Sequence, residues 1–283
     1  MNTRLTPAIL RAAAAQAWIS LKRKYTTWTG LSTLIWAPIM LCVLWFLRDT
    51  DFRDLVPAAG FVLAGFLAFG IIAGAVMGLA GETQQEREDG TLLRAKAVPH
   101  GMTGHLVAKL LAAPVDLVLS VLPLIVLGPL VVPGVLPTDA GSWLLLAVVF
   151  LLATASMLPW GAVLGSVFRT MVGLGVAMLL IYGLAAIAGL FFPITALPTW
   201  LQWIGQATPI YWIGLGVRRA LLPDSAAAVE IGGVWRTELA VVVLLAWAVV
   251  GLLLAPVLLR RMARRQSGSA VAAARERVMA RGY

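Results

Sequence analysis

The sequence predicts an all-α polytopic membrane protein with six transmembrane helices, and three observations predict it. Of the 283 residues, 60% are hydrophobic and 12% charged, against roughly 45–50% apolar residues in an ordinary soluble domain. Several apolar runs reach the roughly 20 residues that a helix needs to cross a bilayer. The charges gather at the ends of those runs. A formal net charge of +9 raises nucleic acid as a partner, but charge placed at the ends of spans belongs to membrane topology, so no nucleic acid is expected.

Residues 1–29 hold Arg4, Arg11, Lys22, Arg23 and Lys24 and no acid, while Leu10, Ala14, Ala17, Leu21, Tyr25 and Trp28 recur every three or four positions. That pattern predicts a cytoplasmic amphipathic interface helix with its basic side toward anionic lipid, serving either as an anchor or as a surface for a partner. The first apolar run begins only near Gly30, so no cleavable leader is expected. The transmembrane domain is placed at 30–259, with spans at about 30–47, 57–80, 106–132, 142–167, 170–192 and 239–259, and a basic cytoplasmic tail at 260–283.

Each span has its own justification. The second, roughly 36 Å long at 1.5 Å per residue, carries Gly70, Gly74 and Gly78 at every fourth position, a smooth strip for helix packing. Pro114, Pro123 and Pro129 bend the third, which neighbouring helices must compensate. The third span also holds Asp116, the one acid set well inside an apolar run. It is a possible intramembrane polar site, or a structural acid paired with a basic group near one membrane face.

The run 142–192 would make a single helix roughly 75 Å long, so it is two spans divided at Arg169, its only charge. Gly161 and Gly165 offer a second close-packing pair. From 193 to 237, repeated prolines with Trp200, Trp203 and Trp212 break the pattern and predict short re-entrant helices dipping into the interface. With six spans, 17 of the Lys and Arg residues fall on one side and 5 on the other, which places both termini in the cytoplasm of a multi-pass cell-membrane protein.

The charged segment 82–109 lies on that cytoplasmic side. Glu86, Arg87, Glu88 and Asp89 crowd together, Asp89-Gly90 reads as a turn, and 91–98 reads as a short helix stopped by Pro99. Leu92, Leu93 and Ala97 give that helix a small apolar side suited to docking in a groove on a soluble partner. The other reading is a solvated connection.

No GxxxxGK[ST] loop occurs, so any nucleotide chemistry comes from another chain. His100 and His105 lack metal-site spacing, no GxSxG elbow is present, and the single Cys42 has no intrachain partner. Neither a catalytic constellation nor a metal is expected.

Two stretches resemble the transmembrane subunits of ABC-2 type ABC exporters. The first is Glu86-Arg87-Glu88-Asp89-Gly90-Thr91-Leu92 with Pro99 and Lys109, similar to that family's cytoplasmic loop after the second span. The second is Phe192-Pro193, Leu197-Pro198-Thr199-Trp200-Leu201, Pro209 and Arg218-Arg219, similar to its extracellular segment before the last span. The resemblance implies a bacterial permease of the drug- or antibiotic-efflux kind, paired with a second permease subunit and seated on separate ATPase subunits. Those subunits would bind ATP and Mg; this chain would hold no cofactor and no ATPase site. It implies a coupling helix over 88–98, with Glu86, Arg87, Glu88, Gly90, Thr91, Leu92, Leu93 and Pro99 at the ATPase contact. Pro193, Leu197, Pro198, Trp200, Pro209 and Arg218 would belong to the extracellular re-entrant segment. The tail after Arg260 is longer than the family's common ending.

Spans almost without charge favour a hydrophobic or amphipathic cargo such as a drug, antibiotic or lipid. Two other classes are an ion-coupled secondary transporter relying on Asp116 and a membrane scaffold that transports nothing.

Overall fold

The computed structural model describes residues 7–26, 35–52, 56–88, 101–168 and 170–265. Helix α1 (Pro7–Thr26) is followed by α2 (Trp36–Leu47) and by a two-rung antiparallel ladder of β1 (Asp51–Phe52) and β2 (Val56–Pro57). Helix α3 (Ala58–Ala73) runs through a π-turn (Gly74–Gly78) into α4 (Leu79–Glu88). Next come α5 (Gly101–Val131), α6 (Ala140–Val167), α7 (Met171–Ile187), the short α8 (Thr199–Ala207) and α9 (Pro209–Leu221), and finally α10 (Thr237–Arg265). Apart from the ladder, which the all-α expectation missed, the described regular structure is helical.

Among the described residues, four helices are long and apolar enough to cross a membrane: Ala58–Glu86, Leu111–Val131, Ala140–Val167 and Thr237–Ala255. The chain is thus a multi-pass membrane protein, and of the six expected spans four appear among the described residues as helices of full crossing length. The runs expected as first and fifth spans give shorter apolar helices. The 12 described residues of α2 cover about 18 Å, and residues 30–34 of the expected first span lie outside the described set. Helix α7 stops at Ile187 rather than continuing to Phe192, because Gly189 takes a left-handed φ of +67° that turns the chain away.

Helix also reaches into the charged segment from both sides. Glu82, Gln84, Gln85 and Glu86 are good helix formers without a breaker among them, so α4 continues to Glu88. Two other starts are capped: Asp139 accepts from the Ser142 N–H at 2.8 Å and Thr170 from the Gly173 N–H at 3.1 Å. The bond from Ser142 holds the Asp139 carboxyl below the usual carboxylate range.

Helix α9 sits at the centre of the bundle, surrounded by α3, α6 and α10, with 12 of its 13 residues buried. Pro209 at its first turn presets the helical φ without forfeiting a hydrogen bond. The segment expected to dip into the interface therefore divides. Helix α8 keeps Trp200 and Trp203 at the periphery, 63% and 70% exposed, while α9 is core.

Lipid supplies little hydrophobic drive between spans, so close contact depends on small residues. A Cβ on Gly65 would collide with the Leu190 backbone carbonyl, and one on Gly161 would lie 2.6 Å from the Ala75 carbonyl. Gly165 likewise lies against Ala80 and Thr83. Of the strip Gly70, Gly74 and Gly78, the first two face Val121 and Leu117 of α5, and Gly78 has nothing within 4 Å. The π-turn inserts one residue and rotates the rest of the helix by about 100°. Gly78 leaves the shared face for that reason.

Gly65→Ala forces a methyl into a backbone atom that no rotamer change can move, so a loss of about 1–3 kcal/mol is expected. Gly78→Ala, in open space, should shift stability by less than about 0.5 kcal/mol. Thermal unfolding followed by fluorescence-detected size exclusion compares the two.

Candidate functional site

The helices that bracket residues 89–100 are tied together by charge. Lys109 on α5 places its ammonium 2.8 Å from the Glu86 carboxylate and 3.6 Å from that of Glu82, both on α4. One turn of helix separates the two acids, so a single lysine serves both. Two turns further along α5, both oxygens of Asp116 accept from Lys24 of α1, at 2.7 and 2.8 Å. The Tyr25 hydroxyl adds a bond of 3.0 Å to the same carboxylate. Burial pushes the Tyr25 phenol up to about 12, with the Asp116 charge adding to it, so at neutral pH the group is an uncharged donor.

Glu86 and Asp116, singled out from the sequence, thus lie at two neighbouring ion pairs. Arg87 and Glu88 belong to the backbone of α4. Gly90, Thr91, Leu92, Leu93 and Pro99, and with them most of the expected coupling helix, lie outside the described residues. Lys24 and Tyr25 were visible only as basic and apolar positions of an amphipathic helix. Their partner sits more than ninety positions away, and no local spacing announces it.

The far end of the bundle has its own charged centre. Arg218 on α9 is fully buried, and its Nε donates to Glu230 at 2.6 Å while Nη1 donates to the Gly189 carbonyl at 3.0 Å. Its guanidinium lies 4.7 Å over the Phe61 ring of α3. The other Glu230 oxygen accepts from the Tyr211 hydroxyl, which in turn accepts from Arg236 at 3.0 Å. Arg236 also donates to the Gln206 side chain of α8.

Arg219, one position on and about 100° around the helix, instead pairs at the surface with Asp224. Sequence reading found Arg218 and missed Glu230, Tyr211, Gln206 and Arg236. The available signal was a lone acid, Glu230, between apolar Val229 and Ile231. Pro193 caps the short turn that begins at Ile194, and Pro198 caps α8. Leu197 closes the first of these turns and accepts from the Gln202 side chain at 2.8 Å.

Between the two charged centres lies an apolar cleft of about 440 Å³, bounded by Leu67 and Ile71 of α3, Val118 and Val121 of α5, Phe150 of α6 and Val217 of α9. Val115, Val118 and Leu151 on its rim are well exposed, so it opens to the side of the bundle.

A bundle of long apolar helices around a buried short helix, with the charges of the described residues gathered toward its two ends, defines a multi-pass membrane protein. The family is more specific. Residues 29–256 match the family described as ABC-2 family transporter protein, and the chain belongs to it. It is an ABC-2 permease domain, a type that lacks an ATPase site and generally pairs with ABC ATPase subunits. No curated protein matches the sequence.

Removing Glu230 leaves a buried guanidinium without its counter-ion. Glu230→Ala is expected to cost about 3–5 kcal/mol. The double change Arg218→Met with Glu230→Leu, which fills the space with apolar groups, should cost clearly less, and thermal unfolding of the two variants decides.

Proposed function

We propose that this chain is the permease subunit of an ATP-driven exporter that moves a hydrophobic or amphipathic molecule, such as a drug, an antibiotic or a lipid, out of the cytoplasm or inner leaflet. The apolar cleft of about 440 Å³ carries this reading: it lies within the spans, opens sideways, and has the size and lining of a site for an apolar ligand. A cargo that partitions into the bilayer would reach it without crossing water.

Energy would come from ATP and Mg held on a separate ATPase subunit, and the permease would act as a pair, with itself or with a second permease. Both termini and residues 82–109 would face the cytoplasm, in keeping with the distribution of Lys and Arg. Segment 88–98 would dock in a groove of the ATPase through Leu92 and Leu93. The ion pairs of Lys109 with Glu86 and Glu82 support this reading, because they fasten α4 to α5 at the base of that segment. Trp200, Pro209 and the rest of 193–237 would face outward. Asp116 is already paired with Lys24, which gives ion-coupled transport little to work with.

Replacing Leu92 and Leu93 together by Asp is expected to abolish co-elution of the ATPase subunit in mild detergent. Val118→Glu should leave co-elution intact and remove the stimulation of ATP hydrolysis by a hydrophobic dye in proteoliposomes. If the ATPase stays bound to the first variant, the assignment of 88–98 is wrong; if dye stimulation survives in the second, the cleft is not the cargo site.

A further inference from the structure

The charged centre at the far end of the bundle carries more positive charge and more hydrogen-bond donors than its own acceptors match. Arg218 and Arg236 are guanidiniums, which keep their proton in a protein interior. Glu230 is the one acid bonded into their network. Two positive charges thus face one negative. The acids nearest in sequence do not make up the difference: Asp224 pairs with Arg219 at the surface, and Glu238 on the first turn of α10 is exposed.

The hydrogen bonds tell the same story. One Glu230 oxygen accepts from Arg218 and the other from Tyr211, the Tyr211 hydroxyl accepts from Arg236, and so does the side-chain oxygen of Gln206. Every side-chain acceptor of the network is engaged. Three buried donor atoms have no partner among the described residues: Arg218 Nη2, Arg236 Nε and Trp235 Nε1. They belong to one neighbourhood. The fully buried Arg218 lies over the Phe61 ring, Trp235 packs against the small apolar cluster that contains Phe61, and Arg236 follows Trp235 in the chain. Arg236 is also linked back to Arg218 through Tyr211 and Glu230.

A water molecule accepts from such donors, but it brings two O–H groups for which the network has no free acceptor. A small anion accepts from every side, donates nothing and balances the excess charge. The surroundings also limit its size. Phe61, Val56, Leu222 and Val229 form a buried apolar cluster, a setting for a monatomic ion rather than for phosphate or sulfate with their ring of oxygens and second charge.

We propose that the far end of the bundle binds one halide-sized monovalent anion, with Arg218 Nη2 and Trp235 Nε1 as its donors and Arg236 supplying the charge it balances. Bound there, the anion completes the pairing of Arg218, the residue that fixes α9 at the centre, so the stability of the fold depends on chloride. The inference is independent of cargo and of any ATPase.

The test unfolds the full chain thermally in mild detergent, followed by tryptophan fluorescence, in sodium chloride, bromide, gluconate and sulfate at matched ionic strength. Tm in chloride is expected to exceed that in gluconate by roughly 3 °C or more, to saturate as chloride replaces gluconate, and to be matched by bromide but not by sulfate. Arg236→Gln keeps a polar side chain and removes the excess charge; it should cut the chloride-dependent rise roughly threefold or more. Trp235→Phe keeps an aromatic ring and removes one donor. It should raise the chloride concentration at half effect severalfold, and it decides the matter if Arg236→Gln does not fold.

Equal Tm in chloride and gluconate overturns the proposal and leaves these donors to water. A rise that never saturates, or one that is larger in sulfate, reports salt acting on the whole surface and overturns it too. So does a chloride dependence that is unchanged in a variant that folds, because the anion then sits elsewhere. Stabilisation by phosphatidylglycerol in gluconate, with none by chloride, assigns the donors to a lipid phosphate and likewise overturns the halide site.

Discussion

The buried pair of Arg218 and Glu230 is the constraint on which the far end of the bundle depends. A guanidinium and a carboxylate in an apolar interior need each other and further hydrogen-bond partners to offset the loss of water. The pair brings five pieces of chain to one point, namely α9 with Tyr211, the turn at Glu230, the Gly189 carbonyl past α7, the Phe61 ring of α3 and Arg236 just before α10, while the Arg218 Nη2 stays buried without a hydrogen-bond partner among the described residues. Apolar packing among Leu, Ile and Val would tolerate several registers of a short central helix. The directional bonds of Arg218 admit one.

The opposite end is held by the same kind of interaction under different conditions. Glu82 is half-exposed there, and Lys24 and Asp116 are only partly covered. Ion pairs with access to water are weaker and exchange partners more readily than buried ones. Between the two ends the second long helix contains a π-turn, with Gly161 of α6 packed directly against it. Local departures of this type favour bending and recur at functional sites. The helix from α3 through α4 is thus held beside a buried ion pair at one end and by water-accessible pairs at the other, with the π-turn between them.

The interaction logic of the candidate site was only partly legible in the sequence. Asp116 draws notice because an acid within an apolar run is rare and expensive, yet Lys24 is one of five basic residues before the first span and nothing local marks it as the partner. Glu86 is prominent in a charged cluster, whereas its link to Lys109 depends on α4 and α5 lying side by side. The glycine strip of the second span has the right spacing for packing, but a four-residue rule presumes an α-helix throughout, and the π-turn removes Gly78 from it.

By itself the sequence determined the properties that composition and local chemistry dictate: a helical membrane protein, the absence of a nucleotide loop, and the motifs that resemble ABC-2 permeases. Those properties depend on runs and short spacings, which are complete within a single stretch of chain. The tertiary structure alone decided that α9 is the core, that Arg218 is buried and Arg219 is not, and that α1 is clasped to α5. Each of these depends on two groups far apart in sequence meeting in space, and one-dimensional patterns do not contain that information.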